Sequence, residues 1–563
     1  MGKRSCFSCF IQQEEEKKNN FDIIFLLFCI AGGVVSLFLM INYTGFWRDE
    51  IYQALCVRRY QEAPLGLLSF YIGHCWTEIF GFSLLNLRIL ASLCSLFAVA
   101  ITSVYAYRLT ENLKLTGVSF LLGCILMRVA AFYLYNWDVG IYVFDALALC
   151  LLISVISKPS TLKYLLLGAV TALITLGRLP SVVILPLTVL LVVFANRYNK
   201  SLFNPVKASV MIITGWVLFV FIGIVVIMGS PVNYFSSITE GNIVSGHSPL
   251  SDFKTLFYRL TFISYFTSIK WFPGIGCIFL AIICPKIKKS WIAIIFVILW
   301  VIYGLLFVTQ KFIEDSAFPM IIGGDTIIGL GLLLAYPVYR LFQPGPIDKI
   351  FCLKLWAFFI LMVSMAFGSD AYTERMITGF MVPLLVALLW QLNIASLRIY
   401  SIYLLGISLL VFASMCSFNF FYLKRKYDAY NVPVQTIWPY QNVRTSFWNE
   451  DEIRKLKTAI PFLQEREIKY AAIGEHLALE LAYGPDNGLS FHQFHEDLYD
   501  KNDWLKNRDV VLARVDAVVY PLDIPYIDYD VILKDLKDAG FTNSLKMGEA
   551  VILSRKPLMK TRR

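Results

Sequence analysis

The feature that most limits what this chain can become is a succession of apolar runs, each about one bilayer crossing long, through its first three quarters. A spanning helix needs roughly 20 predominantly apolar residues. Such runs fall at about 21–42, 84–107, 114–135, 140–157, 162–177, 180–195, 208–229, 266–284, 291–309, 319–340, 351–368, 377–395 and 400–421. The pattern predicts a polytopic α-helical membrane protein of about 13 transmembrane helices, followed by roughly 140 residues of ordinary soluble composition. Only 16% of the 563 residues are charged and 58% are hydrophobic, whereas soluble domains carry about 25% charged residues. A secreted disulfide scaffold, a free cytosolic enzyme and a sequence-specific nucleic-acid binder are thereby excluded.

The net charge of +10 is distributed as in a membrane protein and does not point to nucleic acid. Basic residues sit in alternate short loops: Arg108 and Lys114; Lys158 and Lys163; Arg197, Lys200 and Lys207; Lys286, Lys288 and Lys289; Arg340, Lys349 and Lys354; Arg398. Short cytoplasmic loops carry such an excess. The tail with Lys3, Arg4, Lys17 and Lys18 is then cytoplasmic, and an odd number of spans puts the C-terminal part outside. The expected organisation is a cytoplasmic tail (1–20), a membrane domain (21–421) with an external first loop (43–83), and an extracytoplasmic domain (422–563). Helical segments at 450–465 and 529–539, apolar runs at 470–473 and 517–520, and a hairpin around Gly548 read as a small α/β domain. The lone Cys6-x-x-Cys9 pair lacks the four ligands a metal site needs, and Cys56 and Cys75 pair only if geometry brings them together.

Charges outside the basic loops carry the functional signal. Arg88, Arg128, Asp145, Arg178, Lys270, Asp325, Glu374 and Arg375 all lie toward the external ends of their spans. An ionised side chain at the bilayer centre costs about 2.5–3.5 kcal/mol, so such groups face partners or a cavity. Arg128 lies roughly 10 Å below the outer end of its span, and Asp145 about five residues below the start of the next, so the two can share one depth. Snorkelling and ion pairing account for such charges singly; the shared side bias points to a polar cavity opening outward. Arginine binds phosphate oxygens through its planar fork, and a carboxylate near a hydroxyl acts as general base. That chemistry suits a lipid-phosphate donor whose phosphate leaves, and equally a transporter of anionic substrates.

Phe46-Trp47-Arg48-Asp49-Glu50-Ile51-Tyr52-Gln53-Ala54 resembles the Asp-Glu motif after the first span of family C glycosyltransferases (GT-C), which use polyprenyl-phosphate sugars. Ala63-Pro64-Leu65, Ile79-Phe80-Gly81-Phe82 and Leu87-Arg88-Ile89-Leu90 follow in the order seen in protein O-mannosyltransferases and the lipid A aminoarabinose transferase. Phe144-Asp145-Ala146-Leu147, Leu176-Gly177-Arg178-Leu179-Pro180 and Glu374-Arg375 with Met381-Val382-Pro383 resemble that group more loosely. Glu62-Ala63-Pro64 departs from the usual His or Asn before Pro-Pro, and Arg178 stands where Lys is common. Trp137-Asp138-Val139-Gly140 is only superficially similar to an oligosaccharyltransferase motif and is set aside as a loop.

The resemblance implies a GT-C fold in a multi-pass protein of a bacterial inner membrane. It implies an inverting hexosyl- or pentosyltransferase that moves a sugar from a polyprenyl-phosphate-linked donor to a lipid, protein or glycan acceptor on the external face. Asp49 is then the general base, Glu50 orients the loop or the acceptor, and Asp145 serves acceptor binding or a divalent metal; no other cofactor is implied. Arg58, Arg59, Arg88, Arg128, Arg178 and Arg375 are the donor-phosphate candidates, with two alternatives open: Arg58 and Arg59 meet lipid headgroups, and Arg88 pairs with Asp49 or Glu50. His492 and His495 read as surface, and His247 with Asp252 as a solvated loop near the acceptor entrance. Membrane lipids are the other expected partners. A flippase of lipid-linked sugar and a non-catalytic scaffold remain as rivals.

Overall fold

A computed structural model describes residues 4–38, 41–42, 48–131, 135–198, 203–245, 332–333, 335–337, 339–340, 346–367, 379–394, 397–398, 432–433, 444–445, 454–473, 481–483, 501–522 and 529–558. Ten helices lead: α1 (Arg4–Phe38), α2 (Arg48–Arg58), α3 (Leu67–Phe80), α4 (Leu84–Thr110), α5 (Leu113–Ala131), α6 (Trp137–Ser157), α7 (Thr161–Gly177), α8 (Ile184–Tyr198), α9 (Pro205–Met228) and α10 (Pro231–Ser245). Further helices span Lys349–Ala366 and Val382–Gln391. Among the described residues five helices are long and apolar enough to cross a membrane: Asn20–Phe38, Leu84–Thr110, Trp137–Ser157, Leu179–Tyr198 and Pro205–Met228. Shorter apolar helices occupy Leu113–Met127, Thr161–Gly177 and Gly379–Gln391. The runs expected at 266–284, 291–309 and 400–421, and most of 319–340, lie outside the described residues.

Local chemistry sets the helix ends. Ser83, Asn136, Ser160, Asn204 and Asp348 each cap a helix, their side chains accepting a backbone N–H of the first turn. Pro205 follows its cap at the first helical position, where a missing N–H costs nothing. Gly229, at φ 72°, ends α9 in a conformation that a side chain would strain. The first loop is helical in α2 and α3, which 3-10 turns at Tyr60–Glu62 and Pro64–Gly66 join. The tail before residue 20, expected to be a separate polar segment, continues α1 unbroken; its Gln, Glu and Lys residues are good helix formers, and no Gly or Pro interrupts them.

In lipid, helices associate by close backbone approach, not by the hydrophobic effect. The α7–α9 contact shows this reciprocally: a Cβ at Gly168 would strike the Ile212 carbonyl, and one at Gly215 the Leu165 carbonyl. Gly379 and Gly123 make the same exchange, bringing the turn Gly379–Met381 against α5. Ser92 donates to the Leu37 carbonyl at 3.2 Å and ties α4 to α1.

A small sheet lies near the C-terminal end. β1 (Val432–Pro433) and β2 (Arg444–Thr445) form a short antiparallel pair. β3 (Tyr470–Ala472), β4 (Ala517–Pro521), β5 (Asn543–Met547) and β6 (Ala550–Ser554) form a sheet of order β3-β4-β6-β5, with only β3 and β4 parallel. Alternation buries both faces. Ala471, Val518 and Leu553 meet Trp504, Ile532 and Leu536 on one side, while Tyr470, Val519 and Ile552 belong with Ile460 and Leu463 to the other. Gly548, at φ 60°, makes the two-residue turn between β5 and β6. Of the helix expected over 450–465, residues 454–456 are helical, a turn follows at 457–458, and a second helix runs Ala459–Glu465 with Pro461 in its first turn, where proline is tolerated.

Candidate active site

Two buried acid–arginine arrangements lie between α2 and α4 and between α6 and the end of α7. The first joins α2 to α4. Arg88, 1% exposed, donates from Nε to Glu50 Oε1 at 2.6 Å and from Nη2 to Oε2 at 2.7 Å, and from Nη1 to the Ile41 carbonyl at 3.0 Å. Such a bidentate fork fixes direction as well as distance. Of the partners left open for Arg88, Glu50 is bound. That pair anchors the first turn of α2, on which Asp49 immediately precedes Glu50; the Asp49 side chain lies outside the described residues. The rest of α2 turns Ile51, Ala54, Leu55 and Val57 into the core.

The second arrangement joins the start of α6 to the end of α7. Asp138 and Asp145 stand seven residues apart, two turns along one face of α6. Arg178 follows α7 with extended backbone, where Pro180 starts a new turn and forbids the helix from continuing. Its Nε lies 2.7 Å from Asp138 Oδ1, out of line for a hydrogen bond. Its Nη1 donates to Ser181 Oγ at 3.0 Å and to the Ser364 carbonyl at 3.0 Å, which brings in the helix Lys349–Ala366. Nη2 has no hydrogen-bond partner among the described residues. Asp145 is fully buried, feels both Arg178 and Asp138 electrostatically, and has neither carboxylate oxygen hydrogen-bonded among the described residues. The guanidinium thus pairs with Asp138, and Asp145 lies two turns along the same face within its electrostatic reach, with acceptors and a donor left unbonded.

Helix α3 registers this cluster. Ser69 shares its hydroxyl proton between the carbonyls of Trp137, at 3.0 Å, and Gly177, at 2.9 Å, the residues just before Asp138 and Arg178. Tyr135 donates to the Ser69 carbonyl at 2.5 Å. The approach requires glycine: a Cβ at Gly140 would meet Ser69 at 2.6 Å, and one at Gly177 would strike Ile141. One turn on along α3, Val57 of α2 and Tyr135 both press on Gly73. One short helix therefore touches the element bearing Glu50 and the residues preceding Asp138 and Arg178.

Of the residues singled out from the sequence, Glu50 and Arg88 come together, and Asp145 lies within the electrostatic reach of Arg178. Arg58 is exposed, and Arg59 sits 4.0 Å from Glu62 one turn on. Arg128 lies on α5, but its side chain, like Glu374, Arg375, Lys270, Asp325, His247, Asp252, His492 and His495, lies outside the described residues. Asp138, set aside as a loop residue, is instead the ion partner of Arg178; its spacing of seven from Asp145 was the available signal. Ser69 carried none. Cys56 and Cys75 are both free thiols: Cys56 is buried beside Tyr52, and Cys75 bonds Tyr71. Among the described residues no three His, Cys, Asp or Glu side chains gather as a metal ion would require.

No protein-family model matches the chain, and no curated protein matches it by sequence. Among solved structures it is similar to a crystal structure of ArnT from Cupriavidus metallidurans bound to undecaprenyl phosphate, at 11% identity and a TM-score of 0.39, over 95% of this chain and 98% of that one. The apo crystal structure of the same ArnT gives 12% identity and a TM-score of 0.39, over 97% of this chain and 100% of the other.

Proposed function

We propose that the chain is an integral-membrane glycosyltransferase of the GT-C kind, which moves a sugar from a polyprenyl phosphate to an acceptor hydroxyl at the external face with inversion. The observation that carries this reading is the unsaturated Asp138–Arg178–Asp145 cluster. Buried polar atoms are nearly always hydrogen-bonded, and a carboxyl offers acceptor lone pairs in either protonation state. The Asp145 oxygens therefore suit a ligand rich in hydroxyl donors, and Arg178 Nη2 a ligand with anionic oxygens. A sugar phosphate offers both.

In the reaction, the acceptor oxygen attacks the anomeric carbon while the bond from that carbon to the phosphate oxygen breaks. The electron pair leaves with the polyprenyl phosphate, and the hydroxyl proton passes to Asp49 as base. Arg178, with Arg58, Arg59, Arg128 and Arg375 as further candidates, stabilises the charge growing on the phosphate. Arg88 is spent on Glu50, and its role is to hold the helix that presents Asp49. The acceptor is a lipid, a protein or a glycan.

The test is transfer from a polyprenyl-phosphate sugar by the full chain in proteoliposomes. Asp49→Asn should lower transfer by about 10²–10⁴-fold, the contribution of a positioned base, with an unchanged melting temperature. Flux of the intact lipid-linked sugar across the bilayer, with no transfer and no dependence on Asp49, would identify a flippase and overturn the reading.

A further inference from the structure

Away from the acid–arginine sites, α4 and α6 enclose a groove of about 490 Å³, a size typical of small-molecule sites. We propose that this groove seats one anionic phospholipid of the surrounding membrane, its acyl chain against the helices and its phosphate at Arg108. Phe97, Ala100, Ile101 and Val104 of α4 and Leu147 and Leu151 of α6 form the apolar wall. Phe97 and Val104 are each 56% exposed, so the groove opens outward from the bundle, toward lipid. Its polar residues gather at one end: Arg108, in the last turn of α4, Tyr105, and Ser154 within hydrogen-bonding reach of Tyr105.

The direction of that polarity identifies the occupant. Arg108 is exposed and forms no ion pair among the described residues. It stands at the end where the loops carry Lys158 and Lys163, with Lys114 there paired to Asp22 at 2.8 Å, an arrangement that attracts anionic headgroups at about 1 kcal/mol per basic residue. An arginine fork and two hydroxyls at the headgroup, with hydrocarbon running inward, match a phosphodiester lipid. Ser154 lies nine residues beyond Asp145 on α6, about 13 Å along the axis. A lipid whose phosphate meets Arg108 therefore keeps that phosphate away from Asp145 and Arg178, and is distinct from a donor lying in that cluster.

Native mass spectrometry of the purified full chain tests this, with added phosphatidylglycerol, phosphatidylcholine of the same acyl chains, or polyprenyl phosphate. The expected result is one retained phosphatidylglycerol, bound about fivefold more weakly by Arg108→Gln and as wild type by Arg108→Lys. Ala100→Trp, which fills the groove, should abolish retention. Melting temperatures without added lipid show which variants are folded, and the Gln–Lys comparison stands even if Ala100→Trp is not. Equal retention of phosphatidylcholine, a Gln variant that binds as tightly as wild type, or displacement of the phospholipid by polyprenyl phosphate would each overturn the proposal.

Discussion

The two buried acid–arginine arrangements use the same residue types to opposite ends. Around Arg88 the bonding is complete: both carboxylate oxygens of Glu50 accept from the fork, and the remaining terminal nitrogen reaches a backbone carbonyl. Around Arg178 the one carboxylate contact, to Asp138, is misaligned, and Asp145, within electrostatic reach two turns along α6, is left with both oxygens unbonded among the described residues. A saturated buried pair holds elements in register and offers a ligand nothing. An unsaturated one costs stability and keeps its valences for something else. The comparison separates structure from chemistry where composition alone treats all these charges alike.

The sharpest way to break the comparison is to remove one partner from each. Arg88→Ala strands the Glu50 charge in the core and should cost about 3–5 kcal/mol of stability, read as a large fall in melting temperature in detergent. Glu50→Leu with Arg88→Met should recover most of it, since apolar replacement of a whole buried pair is often neutral. Asp145→Asn should behave in reverse. It replaces an unbonded buried carboxyl by a neutral amide of the same shape, so the melting temperature should hold or rise, while transfer should fall about 100-fold, as expected for a lost contact that strengthens in the transition state. If Asp145→Asn lowered stability as much as Arg88→Ala does, the two arrangements would be equivalent, and the division into holding and reacting groups would fail.

How far these features could be read beforehand depends on the signal each one leaves. Spans are legible because hydropathy accumulates over twenty residues, and the runs at 140–157, 162–177 and 180–195 appear as α6, α7 and the stretch Leu179–Tyr198. Arg88, Asp145 and Arg178 are legible because a charge within an apolar run is expensive. Asp138 was not, because it stands at the polar margin of its run, where a carboxylate reads as loop or as a favourable first-turn charge. Its geometry depends on Asn136 capping α6 one turn early, which places Asp138 on the helix two turns before Asp145. Ser69 is neutral, and its two acceptors come from residues 68 and 108 positions away; no local pattern encodes that.

The close approach of α3, α6 and α7 sharpens the comparison further. Gly177→Ala would drive a methyl into Ile141 and to 3.0 Å from the Ser69 hydroxyl, and overpacking of this kind costs about 1–3 kcal/mol. Because the same shift moves the backbone of Arg178, transfer should fall alongside stability. Ile141→Ala removes the atom struck, so in a double-mutant cycle the two changes should be less than additive by about 0.5–3 kcal/mol. Additive losses would mean that the backbone at Gly177 adjusts independently of α6.

The smallest expected effect is the most informative about how the unsaturated cluster is kept unsaturated. Ser69→Ala deletes one hydroxyl and with it both bonds that hold the Trp137 and Gly177 carbonyls, and the net loss for such bonds is about 1 kcal/mol. In stability this is barely more than a surface change. Its effect on transfer should be larger in proportion, because those two carbonyls directly precede Asp138 and Arg178, and reacting groups lose rate steeply when displaced by an ångström. A fall in kcat several-fold beyond what the stability loss implies, with KM little changed and Ser69→Thr partly restoring it, would show α3 setting the distance between the acids and the guanidinium. A loss of stability with kcat intact would mean that α6 and α7 hold that distance by themselves, through Gly140 and Gly177 alone.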